Sequence, residues 1–267
     1  MPTRDTAPTG APCWIDLLSS DTDRSRAFYS ELFGWTSVDA GPEYGGYINF
    51  LLDDGPIAGL MGKTPEMGEA PDGWTIYFAT DDVQKTVDSA TANGGTVAMP
   101  PMPVPEDGAL GHMAMLVDPA GGFFGLWQAG EHKGFATVYE INAPSWFELH
   151  TRDHAAVVPF YREVLRWETN LVSDTDEFRY TTMVDPAGDG STLLAGVMDA
   201  AKFLPEGVPS HWTVYLGTAD ADGTVAKAVE LGATVIDKPE DTPYGRLATL
   251  ADPTGALFKI LQPPADR

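Results

Sequence analysis

Two periodicities alternate along the chain. Short runs in which apolar and polar residues trade places at every position, as on a half-buried strand, give way to stripes with helical spacing. The clearest run is Trp14-Ile15-Asp16-Leu17-Leu18-Ser19-Ser20-Asp21. It returns 132 positions later (146 − 14) as Trp146-Phe147-Glu148-Leu149-His150-Thr151-Arg152-Asp153. Side chains two apart on a strand share a face, so Trp14 is placed with Asp16, and Trp146 with Glu148 and His150. Each run ends on an aspartate suited to cap a helix. The first predicted helix runs to Phe33, with Phe28, Leu32 and Phe33 as its stripe and Gly34 as its stop.

Three short strands are predicted next, near 35–39, 47–52 and 57–61, with Asp53-Asp54-Gly55 as a turn. Residues 63–73 are rich in Pro, Gly and Glu and read as a connector. The order then repeats: a strand over 74–80, a helix from Asp82 to about Asn93, and strands near 96–99, 112–117 and 123–128. Residues 100–110 hold four prolines and read as a loop over a pocket mouth. The second half restarts with a strand over 145–151 and a helix over 153–165 that contains Pro159. Strands near 166–172, 178–184 and 192–198 follow, then a strand over 211–217, a helix over 220–231, and strands near 234–238, 246–250 and 256–261. Asp252-Pro253-Thr254-Gly255 repeats Asp118-Pro119-Ala120-Gly121 at an offset of 134 (252 − 118). The expected fold class is α+β, with four β-α-β-β-β units in two similar halves. The expected organisation is a disordered tail over 1–11, a first domain over 12–130, a linker over 131–144 and a second domain over 145–263.

Composition narrows the partners. The 267 residues are 43% apolar, ordinary for a globular chain, and carry a net charge of −23 (16 − 39). Nucleic acids and anionic membranes are thereby poor partners, whereas a cationic ligand would be drawn in. The single cysteine, Cys13, excludes an internal disulfide and a cysteine-rich zinc site. Residues 1–12 lack the apolar core of a signal peptide, and no stretch approaches the ~18 apolar residues of a membrane span. A cytoplasmic protein is expected. No nucleophile elbow, phosphate loop or dinucleotide fingerprint occurs.

The helix-capping aspartates Asp21, Asp82, Asp153 and Asp220, together with the two Asp-Pro-x-Gly turns, make the chain resemble the vicinal oxygen chelate superfamily over residues 12–263. This is the glyoxalase, bleomycin-resistance and dioxygenase group. Phe28–Trp35 and Gly125–Gln128 further resemble a tandem subgroup that includes a mycobacterial culture-filtrate antigen and an accessory protein of doxorubicin biosynthesis. The resemblance implies two open barrels, each built from two units around a cavity. It also implies a divalent metal, held by the first strands and a last strand. Counted from the aspartates, the first-strand ligand positions are Trp14, Thr75, Trp146 and Thr213, and the last-strand positions are Gly125 and Lys259. None is a usual ligand. No metal and no cofactor are therefore expected.

Trp14, Tyr77, Trp127, Trp146 and Tyr215 are expected on the inward faces, either as core or as stacking walls. Asp16 and Glu148 are expected beside them, either in salt bridges, such as Glu148 with Arg152 or Lys259, or as contacts to a ligand. His150 joins them as a candidate proton-transfer or structural residue. The expectation is a metal-free protein that binds a planar aromatic, cationic natural product of anthracycline-like kind. Its role would be sequestration, self-resistance, or delivery to a biosynthetic partner enzyme. The alternative is a metal-dependent glyoxalase-like lyase or dioxygenase with a site displaced onto Asp16, Glu148 and His150. A third reading is a protein-interaction role.

Overall fold

The computed structural model describes residues 6–68, 70–185 and 192–264. The first half runs β1 (Pro12–Ser19), α1 (Thr22–Phe33), β2 (Thr36–Asp39), β3 (Ile48–Leu52), β4 (Gly55–Gly62), β5 (Gly73–Ala79), α2 (Val83–Ala92), β6 (Thr96–Val104), β7 (Gly111–Val117) and β8 (Phe123–Ala129). The second runs β9 (Pro144–Thr151), α3 (His154–Leu165), β10 (Glu168–Asp174), β11 (Arg179–Val184), β12 (Leu193–Asp199), β13 (His211–Gly217), α4 (Ala221–Glu230), β14 (Thr234–Thr242), β15 (Gly245–Ala251) and β16 (Leu257–Gln262). The β-α-β-β-β order therefore occurs four times, as the periodicities require.

Each half forms one eight-stranded sheet. The orders are β2-β3-β4-β1-β5-β8-β7-β6 and β10-β11-β12-β9-β13-β16-β15-β14. The first strands of the two units meet antiparallel at the centre, β1 with β5 and β9 with β13. Each also pairs in parallel with the last strand of its own unit. Neither sheet closes on itself, so each half is an open barrel with two edges.

All four predicted helix starts hold. The carboxylates of Asp21, Asp82, Asp153 and Asp220 accept from the backbone N–H of Arg24, Lys85, Ala156 and Gly223, each at 3.0 Å. Gly34 ends α1 in the left-handed conformation, φ 72°. The predicted loop over 100–110 begins as strand, and a second strand outruns its predicted end. β6 continues to Val104 through its prolines, and β14 continues to Thr242. Both are edge strands, where a residue without an N–H costs no ladder bond. The proline-rich segment is thus a sheet edge over much of its length rather than a loop over a pocket. Of the expected tail, residues 1–5 lie outside the described residues. Within 6–11, Gly10 N–H donates to Ala79 O at 2.7 Å and Ala11 is fully buried.

The core lies between the sheets, and the aromatic rings of α1 and α3 contribute to both halves. Tyr29 of α1 packs edge-on to Trp74 of its own half and to Phe258 of the other. Tyr161 of α3 packs on Trp212 of its own half and on Phe124 and Phe78 of the other. Hydrogen bonds cross in the same two-fold pattern. Tyr29 donates to Asp252 Oδ2 at 3.2 Å, and Tyr161 to Asp118 Oδ2 at 2.9 Å. The other oxygen of each aspartate holds its own Asp-Pro-x-Gly turn, through the N–H of Ala120 and Gly122 and of Thr254 and Ala256. Trp74 and Trp212 donate in turn to the hydroxyls of Tyr29 and Tyr161. Among the described residues no helix is long and apolar enough to cross a membrane.

Candidate functional site

Strand alternation sends Trp74, Ile76 and Phe78, and likewise Phe258 and Ile260, to the core. Their neighbours Thr75, Tyr77 and Lys259 go to the opposite face, hereafter the site face. Register then assembles one row across each sheet. In the first half Trp14 faces Tyr77, Tyr77 faces Gly125 and Gly125 faces Met115. In the second, Trp146 faces Tyr215, Tyr215 faces Lys259 and Lys259 faces Thr249. One step along the strands, Asp16 faces Thr75 and Glu148 faces Thr213. The sequence-derived candidates thus form two clusters, one per sheet: Trp14, Asp16, Tyr77 and Trp127, and Trp146, Glu148, His150 and Tyr215.

Each cluster is a carboxylate ringed by donors. Trp14 Nε1 donates to Asp16 Oδ1 at 3.0 Å and to Tyr47 Oη at 2.8 Å, and Tyr47 donates to Asp16 Oδ1 at 2.5 Å. In the second half Tyr180 donates to Glu148 Oε2 at 2.7 Å, and Trp146 Nε1 donates to the Tyr180 hydroxyl at 3.1 Å. Tyr215 donates to Glu148 Oε1 at 2.6 Å, where His150 Nε2 lies at 2.7 Å. Tyr47 and Tyr180 are absent from the sequence-derived set. The signal that marks them is a glycine inside the fourth strand of the first unit of each half. A Cβ on Gly59 would lie 1.7 Å from Tyr47 Oη, and one on Gly196 1.9 Å from Tyr180 Oη. Each glycine leaves room for the hydroxyl that reaches the acid.

The two carboxylates differ in charge balance. Burial pushes Asp16 above the usual carboxylate range, and the hydroxyls of Tyr47 and Tyr77 and the Trp14 indole counter it only in part. Burial acts on Glu148 in the same direction. There His150, the Lys259 ammonium and the Tyr215 hydroxyl outweigh it and hold the carboxyl at about 2. The Lys259 ammonium donates to Tyr215 Oη at 3.2 Å and lies over that ring, 5.1 Å from its centre. Arg152, an expected salt-bridge partner of Glu148, is instead bound to the backbone carbonyls of Val208, Leu204 and Pro205.

The site faces also differ in cover. In the first half the segment after β8 folds back over the row. His132 packs edge-on to Trp14 with ring centres 4.4 Å apart, lies 5.5 Å from Trp127, and accepts from Trp127 Nε1 through its carbonyl at 2.9 Å. Phe135 adds a second ring against Trp14. Trp14 is 4% exposed. In the second half Trp146 and Lys259 are half-buried, and among the described residues no ring packs on Trp146. Two surface clefts, of about 310 and 450 Å³, flank the segment around Thr9. Of the candidate residues only Trp127 lines either, and neither reaches Asp16 or Glu148.

A divalent metal would need three or so carboxylate, imidazole or thiolate ligands converging. The positions counted from the aspartate landmarks do meet on the site faces, but they are Trp14, Thr75 and Gly125 in one half and Trp146, Thr213 and Lys259 in the other. These residues do not fit a metal. The displaced set is not assembled either, because Asp16 lies on β1 and Glu148 and His150 lie on β9, in different sheets. Among the described residues no group of three His, Cys, Asp or Glu converges as a metal would require.

Comparison with known proteins follows the same division. Residues 13–124 match the family described as the glyoxalase/bleomycin resistance protein/dioxygenase superfamily, and residues 146–261 match a glyoxalase-like domain. CFP32 of Mycobacterium tuberculosis, provisionally named a glyoxylase, is 37% identical over 268 residues, covering 98% of each chain. The anthracycline biosynthesis protein DnrV of Streptomyces peucetius is 36% identical over 269 residues, covering 95% of this chain and 93% of its own. Among solved structures, the Mn(II)-bound glyoxalase from Novosphingobium aromaticivorans superposes with a TM-score of 0.61 at 17% identity, over 95% of this chain and 82% of that one. The 2,2',3-trihydroxybiphenyl 1,2-dioxygenase from Sphingomonas wittichii strain RW1 gives 0.64 at 13%, over 95% and 90%. At these identities the two structures establish a shared fold alone.

Proposed function

Because the chain belongs to the glyoxalase/bleomycin resistance protein/dioxygenase superfamily but carries no chelating set at that family's metal positions, we propose that it binds a planar aromatic natural product without a metal. The observation that carries this reading is the row Trp146–Tyr215–Lys259, in which two of those positions hold an indole and an ammonium with the Tyr215 ring between them. Trp and Tyr supply large, stiff contact surfaces for a fused-ring ligand. Identity of 36% to DnrV, an anthracycline biosynthesis protein, supports an accessory role around a polyketide-like quinone. The protein would sequester such a compound, or hand it to a biosynthetic partner enzyme.

The role of the carboxylates changes with the geometry. An ammonium on the ligand would compete with donors already in place: Asp16 Oδ1 accepts from Trp14 and Tyr47, and the two oxygens of Glu148 accept from Tyr215 and Tyr180. They fix the aromatic walls in place rather than meet a cation, so the −23 net charge is solubility more than recognition.

Titration with 1,2-dihydroxyanthraquinone, followed by calorimetry and by quenching of Trp fluorescence, tests the reading. Micromolar binding is expected, and Trp146→Ala should weaken it at least tenfold, a loss of about 1.4 kcal/mol. Absence of binding to any fused-ring compound below about millimolar would remove the proposal. The alternative, a metal-dependent lyase or dioxygenase, would have to be built on the Glu148–His150 pair, 2.7 Å apart, with a third ligand that the described residues do not bring to it. Elemental analysis of the purified protein separates the two. A stoichiometric transition metal that Glu148→Gln releases would favour the second.

A further inference from the structure

Building on that reading, we infer that the Lys259 ammonium stands in for the missing metal, and that the second half therefore selects planar aromatic ligands carrying an anionic oxygen. Carboxylate, phenolate and enolate belong to this class.

The geometry begins with the last strand. Lys259 lies on β16 between Phe258 and Ile260, both fully buried in the core. Alternation leaves only the site face for Lys259. It is half-buried, and among the described residues it forms no ion pair within 4.0 Å. An ammonium has three donors. One goes to Tyr215 Oη at 3.2 Å, and among the described residues the other two have no partner. Tyr215 donates its own proton to Glu148 Oε1 at 2.6 Å, so its lone pair is turned toward Lys259. A chain of acid, hydroxyl and ammonium therefore fixes where the positive charge sits. Beside it across the strand pair is Thr249, a second hydroxyl on the same face.

The occupant follows from the charge. The two remaining N–H donors of Lys259 can gather ligand oxygens by hydrogen bonds, and an anionic oxygen makes the stronger, charge-assisted bond. Trp146 lies two strands from Lys259 along the same row, about 10 Å away at the ~4.8 Å spacing of neighbouring strands. That span, with the Tyr215 ring at its middle, matches the length of two or three fused rings lying flat across the row.

The first half lacks the device. Its equivalent of Lys259 is Gly125, where a Cβ would lie 2.2 Å from the Tyr77 ring. Tyr77 covers that backbone, and His132 and Phe135 cover Trp14. One anion site per chain is expected.

Three naphthalenes of one shape form the test: 2-naphthoate, its neutral amide 2-naphthamide, and the cation 2-(aminomethyl)naphthalene. Affinities are measured on the full chain by calorimetry at neutral pH. The wild type should bind naphthoate at least tenfold more tightly than naphthamide, at a stoichiometry of one, and bind the cation most weakly. Lys259→Met should abolish the preference while naphthamide binding stays measurable, which also reports that the variant is folded. Lys259→Arg should retain the preference. Equal affinities in the wild type, a preference that survives Lys259→Met, or a stoichiometry of two would overturn the inference while leaving the aromatic site standing. Failure of all three probes to bind would remove both.

Discussion

Asp16 and Glu148 occupy the same place in the two halves, and their surroundings drive them to opposite charge behaviour. Glu148 has a folded-state value of about 2 against an ordinary 4.5. A depressed carboxyl contributes stability that is fully present above pH 4.5 and is lost as pH falls toward 2. Glu148→Gln should thus cost on the order of 3 kcal/mol at pH 7, and denaturant titrations should show that cost shrinking between pH 4.5 and 2. A cost independent of pH would mean that the carboxylate is not ionised against His150 and Lys259. Asp16 is displaced upward, so Asp16→Asn should cost less than Glu148→Gln at neutral pH. At this scale the inward face is legible in the sequence. Two-residue parity groups Trp14 with Asp16, and Trp146 with Glu148 and His150. Tyr47 and Tyr180 are not legible, because they reach the acids from strands or loops whose offset no local pattern fixes. Lys259 is legible as the loss of a ligand, but its hydrogen bond to Tyr215 depends on the parallel pairing of β13 with β16.

Among elements, the segment joining β8 to β9 carries the clearest functional difference between the halves. Burial lowers the His132 imidazole from 6.5 to about 4. The segment's hold on Trp14 is therefore fully present above pH 6.5 and is lost as pH falls toward 4. Trp emission should shift to the red over that interval, and His132→Gln should remove the step. A step that persists in the variant would assign it elsewhere. From sequence this segment reads only as a linker, since nothing in its composition says which face it covers. Element order and helix starts are readable because caps and alternation are local. The reach of β6 and β14 is not, because proline is excluded from a central strand but not from an edge, and edge position is a property of the whole sheet.

For the molecule as a whole, the repeated motifs turn out to fasten one half to the other. Each Phe-Tyr pair and each Asp-Pro-x-Gly turn has a sufficient local explanation, as helix stripe and as hairpin, so their meeting across the halves is not readable from either. Tyr161→Phe would strip Asp118 Oδ2 and the Trp212 indole of their partner at once. A loss of about 1–3 kcal/mol is expected, with both halves still unfolding in a single transition by fluorescence and circular dichroism. Two separate transitions in the wild type would show that the halves are independent.

The crossed bonds of Tyr29 with Asp252 and of Tyr161 with Asp118 are all non-covalent and mutually complementary. A gene severed within codons 136–139 and translated as two polypeptides should consequently yield fragments that find each other and rebuild the parent, while either fragment alone precipitates for want of a mate.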